Sequence, residues 1–231
     1  NNFPIPNQRG VHTVKYDGMD NVQNLSANKY LPVFMDNVAP STGIDYKTPQ
    51  FYHRDTLFIN KNTNITLFAR DGESGVQKVE YAVDGGAYKP YEKFTIPGEG
   101  YHTITFKSTD RVNNVEQVKT SHCFVDNTAP RIHHHFSIEP IGQRKKGGKQ
   151  LNIYPNYSRL YLGATDKHVG TERILYSING APLTDYSSPQ TLDISELNRF
   201  KKKKHYEVRV VARDKLGNEV EEVIEFFIGR E

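Results

Sequence analysis

Polar and apolar residues alternate along much of this chain with the two-residue period of a half-buried β-strand. Val11-His12-Thr13-Val14-Lys15-Tyr16, Tyr101-His102-Thr103-Ile104-Thr105-Phe106 and His205-Tyr206-Glu207-Val208-Arg209-Val210 are three such runs. Asn62 to Arg70 alternates as well, passes through the loop Asp71-Gly72-Glu73-Ser74-Gly75, and resumes from Val76 to Val83. Asp84-Gly85-Gly86 supplies the positive φ angles of a tight hairpin. Ala87 to Tyr91 and Lys93 to Ile96 read as short strands, with Pro90 marking an edge or bulge, and Pro97-Gly98-Glu99-Gly100 reads as a turn. Long strands are then predicted from Tyr101 to Thr109 and from Val115 to Val125. Further on, Leu160 to Asp166 matches Ile65 to Asp71, and Ile174 to Gly180 matches Val79 to Gly85, with Asn179-Gly180 as its hairpin turn. An insertion follows, in which Asp193-Ile194-Ser195-Glu196-Leu197 reads as a single helical turn. Roughly seven short strands per module and no sustained helical period predict an all-β chain of antiparallel two-sheet sandwiches.

The alternation is punctuated by a repeat. Asp20 to Asn24, Asp110 to Asn114 and Asp214 to Asn218 are copies of one Asp-x-x-x-Asn element, each following an alternating strand. The first two copies run on, 90 residues apart, into Phe34-Met35-Asp36-Asn37-Val38-Ala39-Pro40 and Phe124-Val125-Asp126-Asn127-Thr128-Ala129-Pro130. A fixed period with a recurrent joint predicts like modules in series. Residues 1–38 match only the last two strands of a module, residues 39–128 form a complete one, and residues 129–231 form a looser copy with insertions. Because residues 1–38 match a back half alone and the chain starts without Met, a piece of a longer protein is expected.

Composition narrows this little. The 231 residues are 36% hydrophobic, enough for two cores of about 100 residues each. No apolar run reaches the roughly 18 residues needed to cross a bilayer. A net charge of +3 selects no partner. The single cysteine, Cys123, excludes an intrachain disulfide and, placed in an alternating strand, is expected to be a buried, inert thiol.

Tyr81-Ala82-Val83-Asp84-Gly85-Gly86-Ala87-Tyr88-Lys89-Pro90-Tyr91, Pro97-Gly98-Glu99-Gly100-Tyr101-His102-Thr103-Ile104 and Asp110-Arg111-Val112-Asn113-Asn114-Val115-Glu116 resemble the bacterial immunoglobulin-like repeats of outer-membrane and surface proteins. The joint Asp126-Asn127-Thr128-Ala129-Pro130 resembles the linker common in such arrays. The last module departs from the pattern: it lacks the second glycine after Asn179-Gly180 and any equivalent of Gly98-Glu99-Gly100, and carries a lysine run. The resemblance implies tandem immunoglobulin-like sandwiches, an extracytoplasmic bacterial location (periplasm, outer membrane or cell surface), and work as spacer, scaffold or adhesive module. Such repeats also occur as accessory modules of carbohydrate-active enzymes.

Candidate chemistry centres on the joints. In an immunoglobulin-like sandwich, the loop after the second strand and the loop before the last strand share a pole with the incoming linker. That would gather Asp36, Asp71, Glu73 and Asp110, hard carboxylates of the kind calcium takes, at an inter-module joint. The next joint offers Asp126, Asp166 and Asp214, with His168 in place of Glu73. The competing expectation is that each Asp accepts the N–H groups of its own turn, with Asn24, Asn114 and Asn218 taking left-handed backbone.

Other clusters are weaker. His133 and His135 share a strand face that could suit zinc, without an evident third ligand. Two basic stretches, Arg144-Lys145-Lys146 with Lys149 and Lys201-Lys202-Lys203-Lys204, fall in predicted loops. They are candidates for an anionic surface glycan or another envelope protein, and otherwise keep a loop solvated. No nucleic-acid signature accompanies them. Tyr52, Tyr88, Tyr91, Tyr101, Tyr154, Tyr157 and Tyr186 could stack on sugars, although tryptophan is absent. No nucleophile elbow, His-Glu-x-x-His motif or phosphate-binding glycine loop is present, so no catalytic residue and no required cofactor is expected.

Overall fold

A computed structural model of the chain describes residues 3–187, 192–193 and 205–229. Every described element is a strand or a turn. Strands β1 (Gly10–Tyr16) and β2 (Lys29–Met35) pair antiparallel, from Gly10 opposite Met35 to Tyr16 opposite Lys29. There follow β3 (Ser41–Tyr46), β4 (Gln50–His53), β5 (Thr56–Ile59), β6 (Ile65–Arg70), β7 (Val76–Val83), β8 (Lys89–Pro90), β9 (Gly100–Asp110) and β10 (Lys119–Val125). They build a two-stranded sheet, β3-β6, and a six-stranded sheet in the order β4-β5-β10-β9-β7-β8. The remaining strands are β11 (Arg131–Phe136), β12 (Gly142–Lys146), β13 (Lys149–Pro155), β14 (Arg159–Thr165), β15 (Thr171–Ile178), β16 (Thr184–Asp185), β17 (Leu192–Asp193), β18 (His205–Asp214) and β19 (Glu219–Gly229). These form sheets β11-β14-β17 and β12-β13-β19-β18-β15-β16. The fold is therefore all-β, with two large sheets in sandwich-like modules.

By contacts the chain divides into two compact units: Asn1–Tyr46 with Asn64–Phe94 and His102–His122, and Lys47–Thr63 with Thr95–Tyr101 and Cys123–Glu231. In the first unit the alternation of β6, β7 and β9 turns Ile65, Leu67, Tyr81, Ile104 and Phe106 inward, and the Tyr81 ring stacks on Phe94 with centroids 4.0 Å apart. Gly43 of β3 lies directly against the Phe68 ring, where a Cβ would come within 2.3 Å of it. In the second unit, Ile132, Phe136, Leu160 and Leu162 from one sheet meet Tyr206, Val208, Val210, Ala212, Ile224 and Phe226 from the other. Phe136 stacks on Tyr154 at 3.7 Å and meets Phe226 edge-on at 5.0 Å. Cys123 is buried.

The sheets differ from the wholly antiparallel expectation. β5 runs parallel to β10, with Phe58 opposite Phe124 and Ile59 opposite Val125, and β13 runs parallel to β19, with Ile153 opposite Phe227. In both sheets an early strand lies beside the last one in the same direction, so the sheets are mixed. Lys93 to Ile96 forms no strand; Phe94 makes only an isolated bridge to Ile65. The basic stretch at 144–149 is no loop either. β12 and β13 form a hairpin whose turn is Gly147-Gly148, with φ of +54° and +82°. Two successive glycines reach left-handed angles without a Cβ penalty, which closes the two-residue turn. Asp193 lies in β17 and not in a helical turn; Ile194 to Leu197 and Lys201 to Lys204 fall outside the described residues.

Candidate functional site

The Asp-x-x-x-Asn element has one hydrogen-bond plan in all three copies. Asp20 Oδ1 accepts the N–H groups of Val22 and Asn24 at 3.0 and 2.9 Å, and Asn24 Nδ2 donates back to Oδ2 at 2.9 Å. Asp110 receives the same bonds from Val112 and Asn114, and Asp214 from Leu216 and Asn218. The Asn24 backbone and side-chain donors hold the Asp20 carboxyl below its usual range. The left-handed residue is not the Asn but the one before it: Gln23 and Asn113 at φ 71° and Gly217 at φ 80°. The Asn must keep its amide turned toward the carboxylate, so the turn places its positive φ one position earlier.

In the second and third copies the Asp is fully buried and the Asn also reaches a preceding joint. Asn114 Nδ2 donates to the Asp36 carbonyl at 3.1 Å, and Asn218 Nδ2 donates to the Asp126 carbonyl at 2.9 Å. These contacts draw three carboxylates together at each place. Asp36 after β2, Asp71 after β6 and Asp110 at the end of β9 bring ligand atoms within 4.8 Å of one another. Asp126 after β10, Asp166 after β14 and Asp214 at the end of β18 do the same.

The first cluster is well supplied with donors. Asp36 Oδ1 accepts the Val38 N–H at 3.0 Å and Oδ2 the Ser74 N–H at 3.0 Å. Donors on Ser74 and then Val38 hold its carboxyl below the usual range. Asp71 Oδ1 accepts the N–H groups of Glu73 and Gly75 at 3.0 and 2.7 Å. Glu73 does not converge with the three aspartates; its largely buried carboxylate is bound by the Arg9 guanidinium.

In the second cluster the donors gather on one oxygen: Asp166 Oδ1 accepts the N–H groups of His168, Val169 and Gly170 at 3.0, 2.8 and 2.8 Å. Asp126 Oδ1 accepts the Thr128 N–H at 3.1 Å, but Oδ2 is buried without a partner among the described residues, and so is Asp166 Oδ2. Burial, with the nearby Asp166 charge adding to it, raises the Asp126 carboxyl to about 6. Glu99 and His168 form a further triad with Asp126, again with ligand atoms within 4.8 Å. Reading the sequence missed Glu99; aligning its turn with the preceding repeat would have set it at the position of Arg9.

The other candidates separate. His133 Nε2 lies 2.8 Å from Thr165 Oγ1 and the His135 ring faces Tyr161, and neither joins a metal-ligating group among the described residues. On the β12-β13 hairpin, the Arg144 guanidinium lies over the Phe227 ring at 5.1 Å, Lys146 Nζ is 2.8 Å from His205 Nδ1, and Lys149 pairs with Glu225 at 3.0 Å. Lys145 points to the opposite face by strand alternation and is exposed. Of the tyrosines, Tyr91, Tyr154 and Tyr186 pack on Tyr81, Phe136 and Tyr176, whereas Tyr52, Tyr101 and Tyr157 are exposed. Among the described residues, no helix is long and apolar enough to cross a membrane.

No protein-family model matches the chain, and no curated protein matches it. Among solved structures it is similar to the fibronectin(III)-like modules of CbhA from Clostridium thermocellum, at 12% identity over 81% of this chain and 95% of that one, TM-score 0.39. It is also similar to a 1.5-MDa bacterial ice-binding adhesin, at 12% identity over 97% of this chain and 76% of that one, TM-score 0.41. A Ca2+-stabilized adhesin of an Antarctic bacterium is a third, at 13% identity, TM-score 0.38; the match covers 95% of this chain and 57% of that one.

Proposed function

We propose that the chain is a non-catalytic structural and interaction segment of a bacterial cell-envelope or surface protein, acting as spacer, scaffold or adhesive array. Its modules in this reading are immunoglobulin-like sandwiches at 39–128 and 129–231, preceded by the last two strands of another at 1–38. The observation that carries the reading is the buried Asp-Asn plan at 110–114 and 214–218, each reaching back to the joint Asp carbonyl before it. Chemistry used once in a chain has no reason to recur with each module, whereas a device that fixes a joint does.

In the same reading, calcium binds Asp36, Asp71 and Asp110, with Glu73 joining once it leaves Arg9, and stiffens that joint. Thermal unfolding with calcium and with excess chelator tests it. A ligand at about 100 times its dissociation constant adds roughly 2.7 kcal/mol, a rise in melting temperature that Asp71→Ala should abolish. An identical melting temperature in millimolar calcium and in chelator rejects calcium there and returns these aspartates to capping their own turns.

A further inference from the structure

The two carboxylate clusters differ in where their positive charge comes from. The 90-residue step sets Arg9 against Glu99, and the match of Ile65–Asp71 with Leu160–Asp166, 95 residues on, sets Glu73 against His168. At the first cluster the chain supplies its own cation, because Arg9 binds Glu73 and its charge also acts on Asp36. At the second cluster that arginine is replaced by a fourth carboxylate. The donors are also shared out differently. Ser74 gives its N–H to Asp36 Oδ2, but Val169, in the matching place, gives its N–H to Asp166 Oδ1 at 2.8 Å. Asp126, with no solvent exposure, is left with an unpartnered Oδ2, and the Oδ2 of Asp166 is also unpartnered among the described residues. A buried carboxylate oxygen without a donor is costly, and a cation bound to it removes the cost.

We propose that Glu99, Asp126 and His168 hold a first-row transition dication of the Zn2+ class, with Asp166 and Asp214 adding negative charge around it. Two carboxylates and one imidazole, with the fourth position left to water, are a donor set that zinc accepts. Calcium takes oxygen ligands and gains little from an imidazole, which separates this cluster from the first. The ligands are held from outside. The Glu99 carboxylate accepts the Asn127 N–H at 2.7 Å and the Thr128 hydroxyl at 3.0 Å. The His168 ring packs against Phe124 with centroids 4.7 Å apart, and no hydrogen bond occupies its ring nitrogens among the described residues. Such supports fix ligand direction and leave the imidazole lone pair for the metal.

The test is calorimetric titration of the full chain with Zn2+, alongside melting in Zn2+ and in chelator. The expected result is one tight site per chain and a Zn2+-dependent rise in melting temperature. His168→Ala should weaken binding at least about tenfold and abolish the Zn2+-dependent rise, while the chelator melting temperature falls only by the lost packing on Phe124. Asp126→Asn should abolish binding and raise the chelator melting temperature, an outcome that a merely structural aspartate would reverse. A control, His133→Ala with His135→Ala, should bind as before. The proposal is overturned if Zn2+ neither binds nor stabilises, or if binding is lost in the His133/His135 control but kept in His168→Ala. It is overturned equally if calcium binds the cluster as tightly as Zn2+ and ignores His168. None of these outcomes depends on calcium at the first cluster or on the envelope role, so each idea can fail alone.

Discussion

Glu116 shows how one buried charge can be made to serve a fold. Its carboxylate accepts the Thr42 N–H at 2.8 Å, the Ser108 N–H at 3.2 Å and the Ser108 hydroxyl at 3.0 Å, while Lys119 Nζ lies 2.7 Å away. Burial pushes the carboxyl up, but Lys119, Thr42 and Ser108 together outweigh it, and the net shift is downward. A folded-state pKa below the unfolded one means stability that is present above the unfolded value and lost as pH falls through the folded one. Glu116→Gln should therefore cost roughly 1.5–3 kcal/mol near neutral pH, the range for hydrogen bonds to a charged group, and far less in acid. Urea unfolding at both pH values checks this, and an equal cost at each would remove the charge from the account. Asp126 has the opposite sign: held at about 6 by burial, it weakens the metal-free fold as pH rises from the unfolded carboxylate value toward 6.

At the scale of elements, stability comes from the interior face of each strand. Leu160 of β14 is fully buried in the core of its sandwich, so Leu160→Ala should cost about 2–5 kcal/mol in a denaturant titration. Lys145→Ala on the exposed face of β12 should stay within about 0.5 kcal/mol. The same distinction explains what could be read from sequence. β6, β9 and β18 bury alternate residues over much of their length, and their alternation is plain; β1 alternates in sequence but buries none of its residues. β4 and β5 lie toward a sheet edge and are four residues each, too short to show a period. β12 is an exposed edge strand with the pattern of a solvated loop, Gly142-Gln143-Arg144-Lys145-Lys146, and so reads as a loop in the sequence. The aspartates of both clusters were legible because the repeat names them. Glu99 and Arg9 were not, because their partners stand far away in sequence and a turn residue carries no pattern of its own.

At the scale of the whole molecule, the hairpin of β12 and β13 is the basic surface that the structure describes. Three of its cations lean on β18 and β19 through Phe227, His205 and Glu225, and Lys145 faces away. If this surface meets an anionic envelope partner, Lys145→Glu should lower retention of the chain on envelope fractions without changing its melting temperature. Lys149→Glu should lower both, since it also breaks the Glu225 pair. Retention unchanged in both variants would point away from this face.

The parallel pairing of β5 with β10, and of β13 with β19, has a mechanical side. β10 runs directly into the joint at Asp126, so tension drawn along the chain arrives at its end. Strands side by side and pulled along their length must slide past one another, and the cross-strand hydrogen bonds then bear the load together instead of parting one by one. A chain tethered at one end and tugged at the other would load these two seams in shear.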